Sequence, residues 1–177
     1  MWKHWTASTF LSKVPASVLG FGIFFLLGVV TFRAETFRPR VQPIAFNHAK
    51  HIENGLSCSD CHAGVEGQAH AGLPDADVCL TCHEEALGQS SEEEKLRTLV
   101  HAGKPLSWAQ LTRVKSDIYF SHRRHVQIAR LACSECHGPI EKTTAPPVRP
   151  FRVFTMETCI RCHQTNRAGT ECNDCHR

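Results

Sequence analysis

All ten cysteines of this 177-residue chain fall in Cys-x-x-Cys pairs, and a histidine follows every pair at once. The five runs are Cys58-Ser-Asp-Cys61-His62, Cys79-Leu-Thr-Cys82-His83, Cys133-Ser-Glu-Cys136-His137, Cys159-Ile-Arg-Cys162-His163 and Cys172-Asn-Asp-Cys175-His176. Two thiols so spaced can add to the two vinyl groups of one haem, and the neighbouring imidazole can then ligate the iron from below. Zinc ribbons and thioredoxin-like redox pairs also use Cys-x-x-Cys, but neither requires the histidine. A disulfide scaffold is the usual reading of so many cysteines in a short chain, and here the spacing opposes it. The motifs therefore predict five haem c groups, with His62, His83, His137, His163 and His176 as proximal iron ligands.

An iron held by one histidine needs a sixth ligand if it is to stay low-spin and exchange only electrons. Outside the motifs stand His4, His48, His51, His70, His101, His122 and His125, with two methionines, Met1 and Met156. His4 precedes a long apolar segment, which leaves six histidines for five irons. Four of them recur in one pattern, Phe-x-His-x-x-His: Phe46-Asn47-His48-Ala49-Lys50-His51 and Phe120-Ser121-His122-Arg123-Arg124-His125. Each pattern stands a few residues before an attachment motif, and the repetition predicts His48, His51, His122 and His125 as distal ligands.

The same repeat organises the chain. Residues 35–90 read as a linker and first lobe with two haems, and residues 116–177 as a second lobe with three. Pro39 and Pro43 mark the linker as extended. Residues 91–115 read as a connecting helix and loop. Ser90 or Ser91 can cap the helix, three glutamates complement its N-terminal dipole, and Gly103 lies past its end. Leu96, Leu99 and Val100 form a stripe expected to pack between the lobes, and Trp108 reads as a packing residue or haem neighbour. Roughly 137 residues serve five haems, too few for an apolar core of ordinary size. The expected fold is mainly α and irregular, a loop-rich multihaem cytochrome c of two lobes in which porphyrin takes the place of the core.

Residues 1–34 read as a membrane anchor. Val14 to Phe32 carries no charge, and nineteen residues at about 1.5 Å each nearly cross a bilayer. Trp2 and Trp5 suit the interface. A cleaved signal peptide would have a shorter apolar region, and Thr31-Phe32-Arg33-Ala34-Glu35 makes a poor cleavage site. Lys3 and Lys13 precede the span while Arg33, Arg38 and Arg40 follow it, so the positive-inside count slightly favours the wrong orientation. Haem c attachment takes place outside the cytoplasm and overrides that count, which places the haem domain on the periplasmic or outer face of a single-pass cytoplasmic-membrane protein. The formal charge is +3. Ten propionates and five oxidised iron porphyrins bring it to about −2. No basic cluster with interleaved aromatics points to nucleic acid.

The Phe-x-His-x-x-His pattern upstream of a haem motif resembles the class III multihaem cytochromes c. That resemblance implies that the first histidine of each pattern serves the haem of the next motif and the second a later one. His48 would then stand opposite His62, His51 opposite His83, His122 opposite His137 and His125 opposite His163. In three-haem relatives the remaining partner is a histidine between the first two motifs of the lobe, and none lies between His137 and His163. Met156, three residues before Cys159, is the expected ligand of the fifth iron, with His70 and His101 as alternatives. Methionine would raise that haem's potential.

Ala69-His70-Ala71-Gly72-Leu73-Pro74 before the second motif and Pro105-Leu106-Ser107-Trp108 before Tyr119-Phe120-Ser121-His122 resemble the pentahaem subunit of bacterial alternative complex III. Met156 before a haem motif, the anchor and the haem number agree with it. Related subunits occur in menaquinone reductase complexes. The resemblance implies a non-catalytic electron-transfer subunit of a quinol-oxidising membrane complex. Its neighbours would be iron–sulfur/molybdopterin-like and polytopic quinone-site subunits, and its acceptor a monohaem cytochrome c or an oxidase. The alternatives are a stand-alone anchored quinol dehydrogenase cytochrome and a multihaem reductase of a small oxyanion.

Overall fold

The computed structural model describes residues 15–36 and 39–176. Met1, Trp2, Lys3, His4, Trp5, Lys13, Val14 and Arg38 lie outside the described residues. The chain divides into two compact units, Met1–Pro39 and Arg40–Arg177.

The first unit contains helix α1, Ala16–Thr36. Its stretch Ala16–Glu35 is long and apolar enough to cross a membrane, and none of it is buried. Phe24 is 77% exposed and Phe21, Ile23 and Leu26 are nearly as open. Thr31 donates its hydroxyl to the carbonyls of Leu27 and Gly28, so this polar side chain is satisfied within the helix. The helix continues past Arg33, where the uncharged stretch ends, by one further turn.

The second unit is made of short helices joined by loops. These are α2 His48–Glu53, α3 Cys58–Cys61, α4 Ala76–His83, α5 Ser91–His101, a π-helical turn Arg123–Ile128, α6 Cys133–His137, a 3-10 turn Ile140–Lys142, α7 Met156–Thr165 and α8 Cys172–Cys175. Among the described residues there is no strand, only an antiparallel bridge between Ile118 and His176. Each attachment motif lies on a helix, and α3 and α8 are little more than the motif itself. Asp60 accepts from the Ser57 N–H and Asp174 from the Glu171 N–H, so a carboxylate inside each of these motifs closes the first turn of its helix.

The two copies of Phe-x-His-x-x-His fold differently for a countable reason. Cys58 stands seven positions after His51, but Cys133 stands eight after His125. The Leu56 N–H donates to the His51 carbonyl and the Leu131 N–H to the His125 carbonyl, so equivalent residues meet across one extra residue. The π turn absorbs it, with Ala129 N–H reaching back to Arg124. Both histidines thus keep their place relative to the following motif.

Helix α5 packs on α4. Glu92 accepts from the Ala45 N–H, Trp108 donates to the Pro74 carbonyl, and Gln42 exchanges two hydrogen bonds with the Ala109 backbone. These contacts join the connecting segment to the first lobe. Ser90 is the N-cap residue but makes no side-chain cap bond. Gly103, with φ of +63°, lies past the C-terminal end as expected, its N–H on the Val100 carbonyl. Only Ile44 and Leu96 are buried apolar side chains among the described residues, at 5% and 4% exposure. A unit of this size held by protein contacts alone would bury many more.

Candidate functional site

Histidine rings and thiols occupy the space where apolar side chains would ordinarily meet. Phe46 stacks on His51, with centroids 4.3 Å apart, and turns its edge to His48 at 4.8 Å. Phe120 does the same for His125 at 4.8 Å and His122 at 4.9 Å. The phenylalanine of each repeat therefore braces both histidines, a role its place in the pattern does not reveal.

Hydrogen bonds fix which nitrogen each ring presents. The Nδ1–H of His51, His62, His122, His125 and His163 donates to the carbonyls of Asn47, Gly72, Ala69, Ser121 and Gly169 respectively. Thr143 gives its own proton to the Ile140 carbonyl, so the contact between His48 Nδ1 and the Thr143 hydroxyl has histidine as donor. His83 Nδ1 donates to the Glu93 carboxylate. With Nδ1 committed in this way, Nε2 of seven rings carries its lone pair forward as a metal ligand requires.

The rings also face one another in pairs. His51 and His83 have centroids 6.1 Å apart, His125 and His163 6.1 Å, and His122 and His137 6.4 Å with planes only 5° from parallel. Metal–imidazole bonds run about 2.0–2.1 Å, so an iron gripped between two rings sets their centroids roughly 6 Å apart. The fourth expected pair, His48 and His62, is also brought together. Burial, and then the neighbouring His62 and His51 rings, push His48 below the usual histidine range. Burial, followed by His122 and His62, does the same for His137. Protons are thus disfavoured where a metal would bind. A cavity between His122 and His137 is walled by Cys133, Cys136, Phe120, Val126, Leu131 and, from the first lobe, Val65. Two thiols, two facing imidazoles and an apolar wall are the donor set and lining that haem c needs, and the residues fit the group.

The fifth site differs. His176 Nδ1 lies 3.9 Å from the Asp117 carboxylate, beyond hydrogen-bond reach, while its backbone pairs with Ile118. Met156, His70 and His101 are all exposed, Met156 by 64%. Among the contacts of the described residues, none of the three meets the His176 ring. Met156 opens α7, one turn before Cys159.

Thiols of different motifs are neighbours too. Cys58 adjoins Cys133, Cys61 adjoins Cys79 and Cys82, Cys136 adjoins Cys159 and Cys162, and Cys159 adjoins Cys175. Burial raises Cys58, Cys61, Cys79, Cys136 and Cys159 above the ordinary thiol range, and the adjoining thiols add to it. The motifs therefore follow one another in space in the order second, first, third, fourth, fifth. Reciprocal bonds stitch the junction between lobes. His48 reaches Thr143 beyond the third motif, and His122 reaches Ala69 beyond the first.

Comparison with known proteins places these motifs in context. The sequence profile of the class III cytochrome C family matches residues 29–109, and that of cytochrome c7 and related cytochromes c matches residues 118–177. The first profile runs on through the connecting helix as far as residue 109, in agreement with that helix's contacts to the first lobe. Cytochrome c3 of Desulfuromonas acetoxidans is 31% identical over 62 residues, which is 35% of this chain and 84% of that protein.

Proposed function

The chain belongs to the class III family of multihaem cytochromes c, which transfer electrons, and from that premise we propose that it binds five haems as the relay subunit of a quinol-oxidising membrane complex. The observation that supports this most is the conjunction of facing histidine pairs with an unbroken row of attachment motifs. Bound haem supplies a one-electron iron couple at each motif. The chain does the rest. Its thiols would hold the porphyrin covalently, its paired imidazoles would ligate the iron at four of the motifs, and the Nδ1 acceptors hold those rings in orientation. Irons so ligated would have no coordination position left for substrate at those four motifs, which favours a non-catalytic electron carrier over a reductase of a small oxyanion. The fifth site is where that second reading would have to act, since its candidate ligands are exposed.

In this reading α1 anchors the protein in the cytoplasmic membrane with the haem unit on the periplasmic face. Iron–sulfur/molybdopterin-like and polytopic quinone-site subunits are its neighbours, and a monohaem cytochrome c or an oxidase accepts its electrons. Purification from native membranes tests the assembly: co-purification of an iron–sulfur subunit and polytopic subunits is expected. Recovery as a solitary anchored chain would favour the stand-alone quinol dehydrogenase. Pyridine haemochrome analysis should return five haems per chain and EPR only low-spin ferric signals. A high-spin signal that responds to nitrite would favour the reductase.

A further inference from the structure

Six of the seven committed Nδ1 atoms donate to a neutral oxygen, five to backbone carbonyls and one to a hydroxyl. His83 donates to a carboxylate, Glu93 Oε1, at 2.8 Å. The Leu87 N–H donates to the same oxygen at 2.7 Å, which locks it in place. The Glu93 side chain is only 10% exposed and that of His83 22%. The other acidic neighbour of an attachment-motif ring, Asp117 near His176, stands at 3.9 Å and is 61% exposed, so water screens it.

We propose that Glu93 is a potential-setting residue: through His83 it lowers the reduction potential of the haem held by Cys79, Cys82 and His83. A carboxylate that accepts the Nδ1 proton draws it away from the ring and gives the imidazole imidazolate character. The ring then donates more strongly through Nε2 and favours ferric over ferrous iron. Little solvent lies between the two groups, so the negative charge also opposes an arriving electron directly. The second motif is one end of the row, and a lowered potential there biases electrons toward the other four. Helix α5 sets this up by placing Glu93 in its first turn, against α4. The inference rests on the reading of His83 as an iron ligand.

The variant E93Q tests it in the full-length, haem-loaded protein, because glutamine keeps a carbonyl oxygen for both N–H donors and removes the charge. Pyridine haemochrome analysis of the wild type comes first, and a value below five per chain counts against the haem reading rather than against Glu93. In an optically monitored redox titration of E93Q, one of five midpoints should rise. A tenfold change in that site's preference for the electron corresponds to about 59 mV for one electron. Five haems with an unmoved set of midpoints would overturn the proposal. If E93Q fails to retain its haems, the wild-type EPR spectrum decides. One low-spin signal should have a lower maximal g value than the other bis-histidine signals, as imidazolate character requires, and its absence would overturn the proposal.

Discussion

At the scale of single residues, the chain assigns each histidine nitrogen a task. In seven rings Nδ1 goes to a protein oxygen and Nε2 is left for iron, so a distal histidine among them cannot be replaced by a residue of similar size without losing one or both. The fifth site obeys a different rule, because its proximal His176 has no ring opposite among the contacts of the described residues. Met156 begins the helix that bears Cys159, and Cys159 adjoins Cys175 of the last motif. A thioether there is the nearest unassigned donor by chain position. Met156→Ala should keep five covalent haems, lower one midpoint potential and convert about one fifth of the iron to a high-spin EPR signal. An unchanged spectrum removes Met156, and the same measurement on His70→Ala and His101→Ala then finds the ligand. The motif cysteines and histidines were legible because covalent attachment fixes their spacing along the chain. The acceptors Thr143, Ala69 and Glu93 were not, since each meets its histidine only after the chain has folded back on itself.

At the scale of elements, α5 shows what local signals reach. Its serines, its glutamates and Gly103 announce a helix between residues 91 and 101, yet they do not say what it rests on. The Ser90 side chain makes no cap bond, so packing must hold the helix start. Leu96 does much of that, as one of two buried apolar side chains among the described residues. Leu96→Ala should destabilise the unit by about 2–5 kcal/mol, read from denaturant melts followed by far-ultraviolet circular dichroism. It should also loosen Glu93 from His83, so one midpoint should drift upward as in E93Q. A loss below about 1 kcal/mol, within the range of surface substitutions, would mean that haem contacts rather than Leu96 seat the helix. The π turn was countable from the extra residue between His125 and Cys133, though the count alone does not say whether a loop or a helix absorbs it.

At the scale of the molecule, the apolar surface is distributed in an unusual way. Helix α1 exposes nearly all of its large side chains, while the unit that bears the motifs buries almost none of its own. Under the proposed function two different solvents account for this: hydrocarbon for α1, and porphyrin for the Arg40–Arg177 unit. If each part meets its own solvent, the parts are separable. A chain beginning at Arg40, exported behind a cleavable signal peptide, should therefore mature with the same haem content and the same set of midpoints as the full-length protein. It should be recovered in the soluble periplasmic fraction, while the full-length chain fractionates with membranes until detergent is added. The same shortened chain produced without haem attachment should show little cooperative melting, because Ile44 and Leu96 alone cannot offset the conformational entropy of ordering the unit. A haem-free chain that melted cooperatively would show that protein contacts suffice. An exported shortened chain that lost haems would show that α1 takes part in the fold of the haem-bearing unit.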